Sequence, residues 1–393
     1  MKICVFTGTR ADYGLLTPLL KRLDRDAETE LQLLVSGSHL SKRHGHTVDA
    51  IKADGYTVSA QVALPLDHDS DLGVAKAMGE ALTGCATALN GLKPDLLVLL
   101  GDRYECLACA TAASLLHIPM AHIHGGEATQ GAVDDYFRHA ITKMAHLHFT
   151  SCEIYRRRVI QLGEHPDTVF NVGALGVENI KTVPLMDRQA LEADLGFAMG
   201  DQCLLVTYHP VTLAPNDREQ TEAFFSGLEN VLSQDQTVTL LITGANADPG
   251  GSMVDALADL LHDKFPTRSH VTPSLGLVRY LSAMHCCAAV VGNSSSGILE
   301  APSFHVPTVN VGDRQKGREQ APSVFNCAAD AQEVARTIGH ALSSQAGHIV
   351  KQARNPYEKY GTSQRILDVL KKGTPGIAKP FFDIDYRLPK DKE

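Results

Sequence analysis

The sequence predicts an α/β fold of two doubly wound domains facing a central cleft. Two observations carry this. Short continuous apolar runs alternate with longer segments of helical periodicity, the signature of parallel strands covered on both faces. The same rhythm also occurs twice along the 393 residues, a length that at ~150 residues per domain accommodates two or three cores.

The runs of the first half are Ile3–Thr7, Leu31–Val35, Leu96–Leu100, Pro119–Ile123, Leu147–Thr150 and Val169–Val172. Those of the second are Leu204–Thr207, Thr239–Thr243, Ala288–Val291 and Thr308–Val311. Between strands, Leu15, Leu16, Leu19, Leu20 and Leu23 form one helical stripe, and Leu107 to Leu116 forms another, stopped by Pro119. The rhythm restarts after "VGALG", so domains are expected at 1–178 and 179–354. A helix-like segment at 355–372 is placed as crossing back onto the first domain, and 373–393 reads as a tail with disordered last residues.

Composition narrows the function. A net charge of −9 argues against non-specific binding of nucleic acid or anionic membranes. No apolar run reaches the ~18 residues of a membrane span. The start is broken too early by glycine for a signal peptide, and nine cysteines, an odd number, suggest no disulfide framework. Reduced, core-filling thiols and a cytoplasmic location are the expectation.

Polar residues gather where the strands end. The first strand runs into "TGTRADYG", a glycine turn expected to offer free N–H groups to an anion, with Arg10 as a phosphate donor. On the plainer reading Asp12 caps the following helix. The turn is neither GxGxxG nor a Walker loop, so no dinucleotide cofactor is expected. A second strand ends in Gly101-Asp102-Arg103, which reads as an orienting or proton-transferring acid beside an arginine, or as a local Asp102–Arg103 pair.

The third strand leads into "HIHGGEATQGAVDDYFRHAITK". His122 and His124, two apart on a strand, would share a face as metal ligands do. No helix-borne pair completes the set, and no metal is expected. Glu127 on the turn and Asp134 at the helix start are placed to face the cleft, while His139 reads as packing within the helix.

In the second half "LLVTYHP" ends in His209, a switchable imidazole placed to assist a leaving group, or a structural residue before Pro210. "LLITGANADPGG" presents Asn246 and Asp248 in a loop. "VVGNSSSGILEAPSFHVPTVNVGDRQKGRE" places Ser294, Ser295 and Ser296 at a helix start as a phosphate cradle, Glu300 one turn on for ribose hydroxyls, and Arg314 after the next strand. These residues point to an enzyme binding a phosphorylated, nucleotide-like ligand.

Together "TGTRADYG", "LGDRYE", "HIHGGEATQGAVDDYFRHAITKMAHLH", "YHPVTL" and the last motif resemble the UDP-N-acetylglucosamine 2-epimerases, and more closely the hydrolysing branch of sialic-acid-type sugar synthesis, over roughly residues 1–370. The resemblance implies a GT-B-type pair of Rossmann-like domains, the first holding the sugar and the second the nucleotide diphosphate. It implies anti elimination of UDP to 2-acetamidoglucal, then hydration, converting UDP-N-acetylglucosamine to UDP and N-acetylmannosamine. It further implies Asp102, Glu127 and Asp134 as acids and bases, and His209 as the leaving-group partner. Arg10, Arg103, Ser294, Ser295, Ser296, Glu300 and Arg314 become the nucleotide contacts, with Asn246 near the base. A homodimer or homotetramer is also implied. Some relatives carry a catalytic glutamate where this chain has His124, so that role passes either to Glu127 or to His124 itself. The "HIHGGE" form also fits enzymes acting on UDP- or GDP-linked 2,4-diacetamido-trideoxy sugars, which keeps that substrate class open. Gly37-Ser38-His39, where non-hydrolysing members have Gln-His, favours the hydrolysing branch. A glycosyltransferase on the same fold, a metal-dependent hydrolase and a nucleotide-sugar sensor are the competing classes.

Overall fold

The computed structural model describes residues 1–42, 45–66, 70–129, 133–211, 216–245, 250–374 and 376–385. Thirteen strands among the described residues form two wholly parallel sheets. The first comprises β1 (Lys2–Thr7), β2 (Glu30–Ser36), β3 (Val58–Val62), β4 (Leu96–Leu100), β5 (Met120–Ile123), β6 (Leu147–Thr150) and β7 (Val169–Asn171), in the order β3-β2-β1-β4-β5-β6-β7. The second comprises β8 (Gln202–Thr207), β9 (Val238–Thr243), β10 (Ser269–Thr272), β11 (Ala289–Gly292), β12 (Thr308–Val311) and β13 (Val324–Cys327), in the order β10-β9-β8-β11-β12-β13. In each sheet the order reverses once, between β1 and β4 and between β8 and β11. These are the switch points at which loops diverge and doubly wound sheets bind ligands.

The strands buried on both faces, such as β4 and β11, coincide with the predicted apolar runs. β3, β10 and β13 lie outside those runs, and all three are sheet edges. Each of these three has one covered flank and mixed burial, and carries no continuous apolar run.

Helices cover both sheets. In the first unit Phe6, Leu34, Leu97 and Leu99 pack against Cys85 and Leu89 of the helix Asp71–Leu92 and Cys109 and Ala113 of the helix Tyr104–Leu115. In the second, Val206, Ile242 and Val291 pack on Phe224 and Leu228, while Leu205, Leu241 and Val290 pack on Leu191 and Met284 of the other layer. Each such fully buried aliphatic contributes about 1.5–3 kcal/mol.

The chain forms two compact units, residues 1–127, 136–173 and 361–393, and residues 128–135 and 174–360. The helix Thr362–Leu370 packs within the first unit, where Arg22 donates to Ser363 Oγ and Gln364 Oε1, both at 2.6 Å. Residues 377–382 are held there too. Lys379 Nζ lies 2.7 Å from Glu164 Oε2, His146 donates to Ile377 O at 2.9 Å, and Phe382 N donates to Gly163 O at 2.9 Å.

Candidate active site

At the first switch point β1 ends in Thr7 and the helix Arg10–Arg25 follows. Thr9, not Asp12, is its N-cap. Asp12 sits three residues on and completes a capping box, its carboxylate accepting from Thr9 N at 3.0 Å and Gly8 N at 3.3 Å. The turn's N–H groups, expected to be free for an anion, therefore already serve the chain's own carboxylate. Arg10 stands exposed at the helix start. Burial, then the nearby Glu105, push the Asp12 carboxyl up to about 6, against the opposing pull of Arg103.

β4 delivers Asp102 and Arg103, and they do not pair with each other as the local reading had it. Arg103 Nε donates to the buried Glu105 at 2.8 Å. Asp102, about one-quarter exposed, accepts from Arg138 Nη2. Arg138 is buried in the helix Asp134–Met144, and its Nη1 donates to Glu127 O at 3.0 Å. One guanidinium thus joins the carboxylate after β4 to the main chain of the turn after β5.

That turn is the "HIHGGE" stretch, and its two strand histidines part company. His122 lies in β5, with Nε2 2.8 Å from Gly101 O and Nδ1 3.0 Å from Thr142 Oγ1. Burial pushes its pKa down to about 3, so the ring is neutral. Only Nε2–H can donate to the carbonyl, and Nδ1 then accepts from Thr142. His124 is past the end of the strand, in the left-handed region with φ 67°, so the shared face expected of the pair is lost. Its Nδ1 approaches Glu127 Oε1 at 3.7 Å. Glu127 is buried, and its Oε1 accepts from Ser151 Oγ at 2.7 Å. Gly126 makes the turn possible. Its φ is 79°, and a Cβ there would stand 2.6 Å from Tyr155 O. Asp134 is the first residue of its helix and half-buried, and Asp135 receives Thr129 N at 2.6 Å.

The second unit repeats the arrangement at its own switch point. Asn293, fully buried after β11, reads the main chain of His209 in both directions, its Oδ1 accepting from His209 N and its Nδ2 donating to His209 O, each at 2.8 Å. Its own carbonyl accepts from Arg314 Nη1 at 3.2 Å and from Gln315 Nε2 at 2.8 Å. Ser294 and Ser296 hydroxyls lie 3.1 Å apart, and Ser296 meets Tyr280 OH at 2.5 Å. The helix that starts there, Ser296–Leu299, spans only four residues. A helix of that length adds little dipole to the phosphate cradle expected there. Ser295 is its N-cap residue and Glu300 its buried C-cap. Burial, then Arg314, push the His209 pKa down to about 3. The ring is a neutral donor or acceptor near pH 7. Asn246 and Asp248 lie outside the described residues.

The family described as UDP-N-acetylglucosamine 2-epimerase matches residues 21–371. The chain belongs to this family. Among its relatives is the GDP/UDP-N,N'-diacetylbacillosamine 2-epimerase (hydrolyzing) of Campylobacter jejuni, 37% identical over 83% of this chain and 84% of the relative. Another is the polysialic acid biosynthesis protein P7 of Escherichia coli, 34% identical over 98% and 97%. The UDP-GlcNAc 2-epimerase of Neisseria meningitidis, solved bound to UDP-GlcNAc, shares the fold with a TM-score of 0.79 over 95% of this chain and 100% of that one, at 16% identity.

Within this epimerase-family chain the structure gathers Asp102, Glu127 and His124 in the first unit, and His209, Ser294, Ser296 and Arg314 in the second. Sequence reading missed Arg138, Ser151, Glu105 and Asn293. Arg138 left one signal, a charge on the buried side of an amphipathic helix, one turn before Ile141 and Thr142 on that same side.

Proposed function

We propose that this protein is a hydrolysing nucleotide-sugar 2-epimerase. A base takes the proton from carbon 2 of a nucleotide-linked 2-acetamido sugar. The electron pair forms the C1–C2 double bond as the C1–O bond breaks, and the nucleoside diphosphate leaves. Water then adds, its oxygen to carbon 1 and a proton to carbon 2 from the opposite side, releasing a free sugar of inverted configuration at that carbon. The observation that supports this reading is the pair Asp102 and Glu127, acidic residues at adjacent strand ends, with Arg138 bonded to the Asp102 carboxylate and to the main-chain carbonyl of Glu127. Asp134 opens the same helix as Arg138. His209, Arg314 and the serine hydroxyls supply neutral and cationic donors for a departing diphosphate.

For the sugar, we favour a UDP- or GDP-linked 2,4-diacetamido-2,4,6-trideoxy hexose, in keeping with the substrate named for the Campylobacter jejuni relative. UDP-N-acetylglucosamine, giving N-acetylmannosamine for sialic-acid synthesis, is the second reading. It is supported by the Escherichia coli relative, which matches over nearly the whole length of both chains. A panel of UDP- and GDP-linked forms of both sugars in deuterated water tests it. One donor should yield free nucleoside diphosphate and a manno-configured sugar deuterated at carbon 2. Recovery of a nucleotide-linked manno sugar would place the chain in the non-hydrolysing branch, and unlabelled product would remove proton abstraction at carbon 2.

A further inference from the structure

We infer that Arg138 is a positioning residue for this reaction, whose forked guanidinium sets the Asp102 carboxylate in place against the Glu127 turn. The inference rests on the proposed epimerase reading.

Three features of the site support the assignment. Arg138 is among the largest fully buried side chains, and a guanidinium is taken out of water at a high cost unless its donors are met. Here they are met from two separate strand ends, Asp102 Oδ2 by Nη2 and Glu127 O by Nη1 at 3.0 Å. A planar fork with donors fixed relative to each other imposes the spacing between those two partners, which a point-charged ammonium does not.

The helix that carries Arg138 also holds the frame at a second point. Asp134 precedes Arg138 by four residues, so the two lie along one side of the helix Asp134–Met144. One turn further on, Thr142 meets the His122 ring at 3.0 Å, and that ring holds the carbonyl of Gly101, the residue before Asp102, at 2.8 Å. Asp102 and the Glu127 turn are therefore indexed to one helix through Arg138 and Thr142. Displacing a reacting group by about 1 Å can cost about 100-fold in rate.

The test uses the full chain and the donor found active in the panel, with Arg138→Ala, Arg138→Lys, Asp102→Asn and the Arg138→Ala/Asp102→Asn pair. Expected for Arg138→Ala is a fall in kcat of about 100-fold with KM within about threefold of the wild type. Added guanidinium ion should restore about tenfold to Arg138→Ala and nothing to Asp102→Asn. The double variant should be no slower than Asp102→Asn alone, because groups acting as a unit are not additive. Losses that multiply in the double variant, or a kcat for Arg138→Ala within about threefold of the wild type, would overturn the inference. Should Arg138→Ala not fold, Arg138→Lys decides: a kcat drop of at least about tenfold at unchanged KM supports the fork, and full activity overturns it. A wild type that releases no nucleoside diphosphate from any donor overturns the epimerase reading and this inference together. An active wild type with equally active variants overturns this inference alone.

Discussion

Lowering the pH from 8 to 5 should destabilise the protein through His122, by an amount its surroundings fix. Its ring is buried without charge, bonded at both nitrogens to Gly101 and Thr142, and its pKa is pushed down to about 3. In the unfolded chain the same ring takes up a proton near ~6.5. Between those values the unfolded state binds the extra proton, so the stability His122 contributes is complete above the upper value and is lost as pH falls. At pH 5 the loss is about 2 kcal/mol from this one residue. Other histidines, the buried His39 and the half-buried His209 among them, are depressed in the same sense and add to the wild-type slope. The measurement is therefore a difference. Urea unfolding at pH 8 and pH 5 is compared for wild type and for His122→Gln, whose amide still donates towards Gly101 O but cannot titrate. The wild type should lose about 2 kcal/mol more than the variant over that interval. Equal losses in the two proteins would show that His122 is not held neutral and would undo the tautomer assigned to it.

Three further outcomes are expected. Asp102→Asn and Glu127→Gln should each lower kcat at least about 100-fold while leaving nucleoside diphosphate binding intact, and near-normal turnover in either would remove its acid/base role. Ser151→Ala takes a donor from the buried Glu127 carboxylate and should cost about 1.5–3 kcal/mol, read as a lowered urea midpoint; an unchanged midpoint would mean the 2.7 Å bond contributes nothing net. Gly292 has φ 136° and its missing Cβ points at Thr207 O, so Gly292→Ala should destabilise by more than about 3 kcal/mol and weaken nucleotide binding, whereas a wild-type midpoint would show that β8 and β11 can part there at little cost.

What the sequence made legible follows from what is local. Central parallel strands are apolar on both faces, so β1, β4, β8 and β11 announce themselves as runs, and the carboxylates and histidine just beyond them stand out. Edge strands β3, β10 and β13 have no such run and stay hidden. The partners of the site residues stay hidden for another reason. Arg138 lies 36 residues from Asp102, Ser151 lies 24 from Glu127, and Asn293 lies 84 from His209. No spacing rule reaches across such distances. Local spacing also misled within single turns. Arg103 turned from Asp102 to Glu105, Asp12 took the N–H groups of its own turn, and the HxH pair broke where His124 entered a left-handed conformation.

The same physical cause places the site residues in both units. At a switch point two neighbouring strands send their following chain to opposite faces of the sheet, and the ends of those strands are left uncovered by either crossover. A polar side chain just past such an end can meet a ligand while its backbone is still fixed by the sheet. In the first unit those ends are Thr7 and Leu100, followed by Arg10 and Asp102; in the second they are Thr207 and Gly292, followed by His209 and Ser294. In the second unit the two loops are cross-braced by one buried polar side chain, Asn293, bonded to the main chain of His209, and in the first the buried Glu105 accepts from Arg103 and stands against Gly8. The brace is needed because loops leaving in opposite directions share no backbone ladder. Catalytic groups borne on them keep their geometry only as well as that side chain holds it.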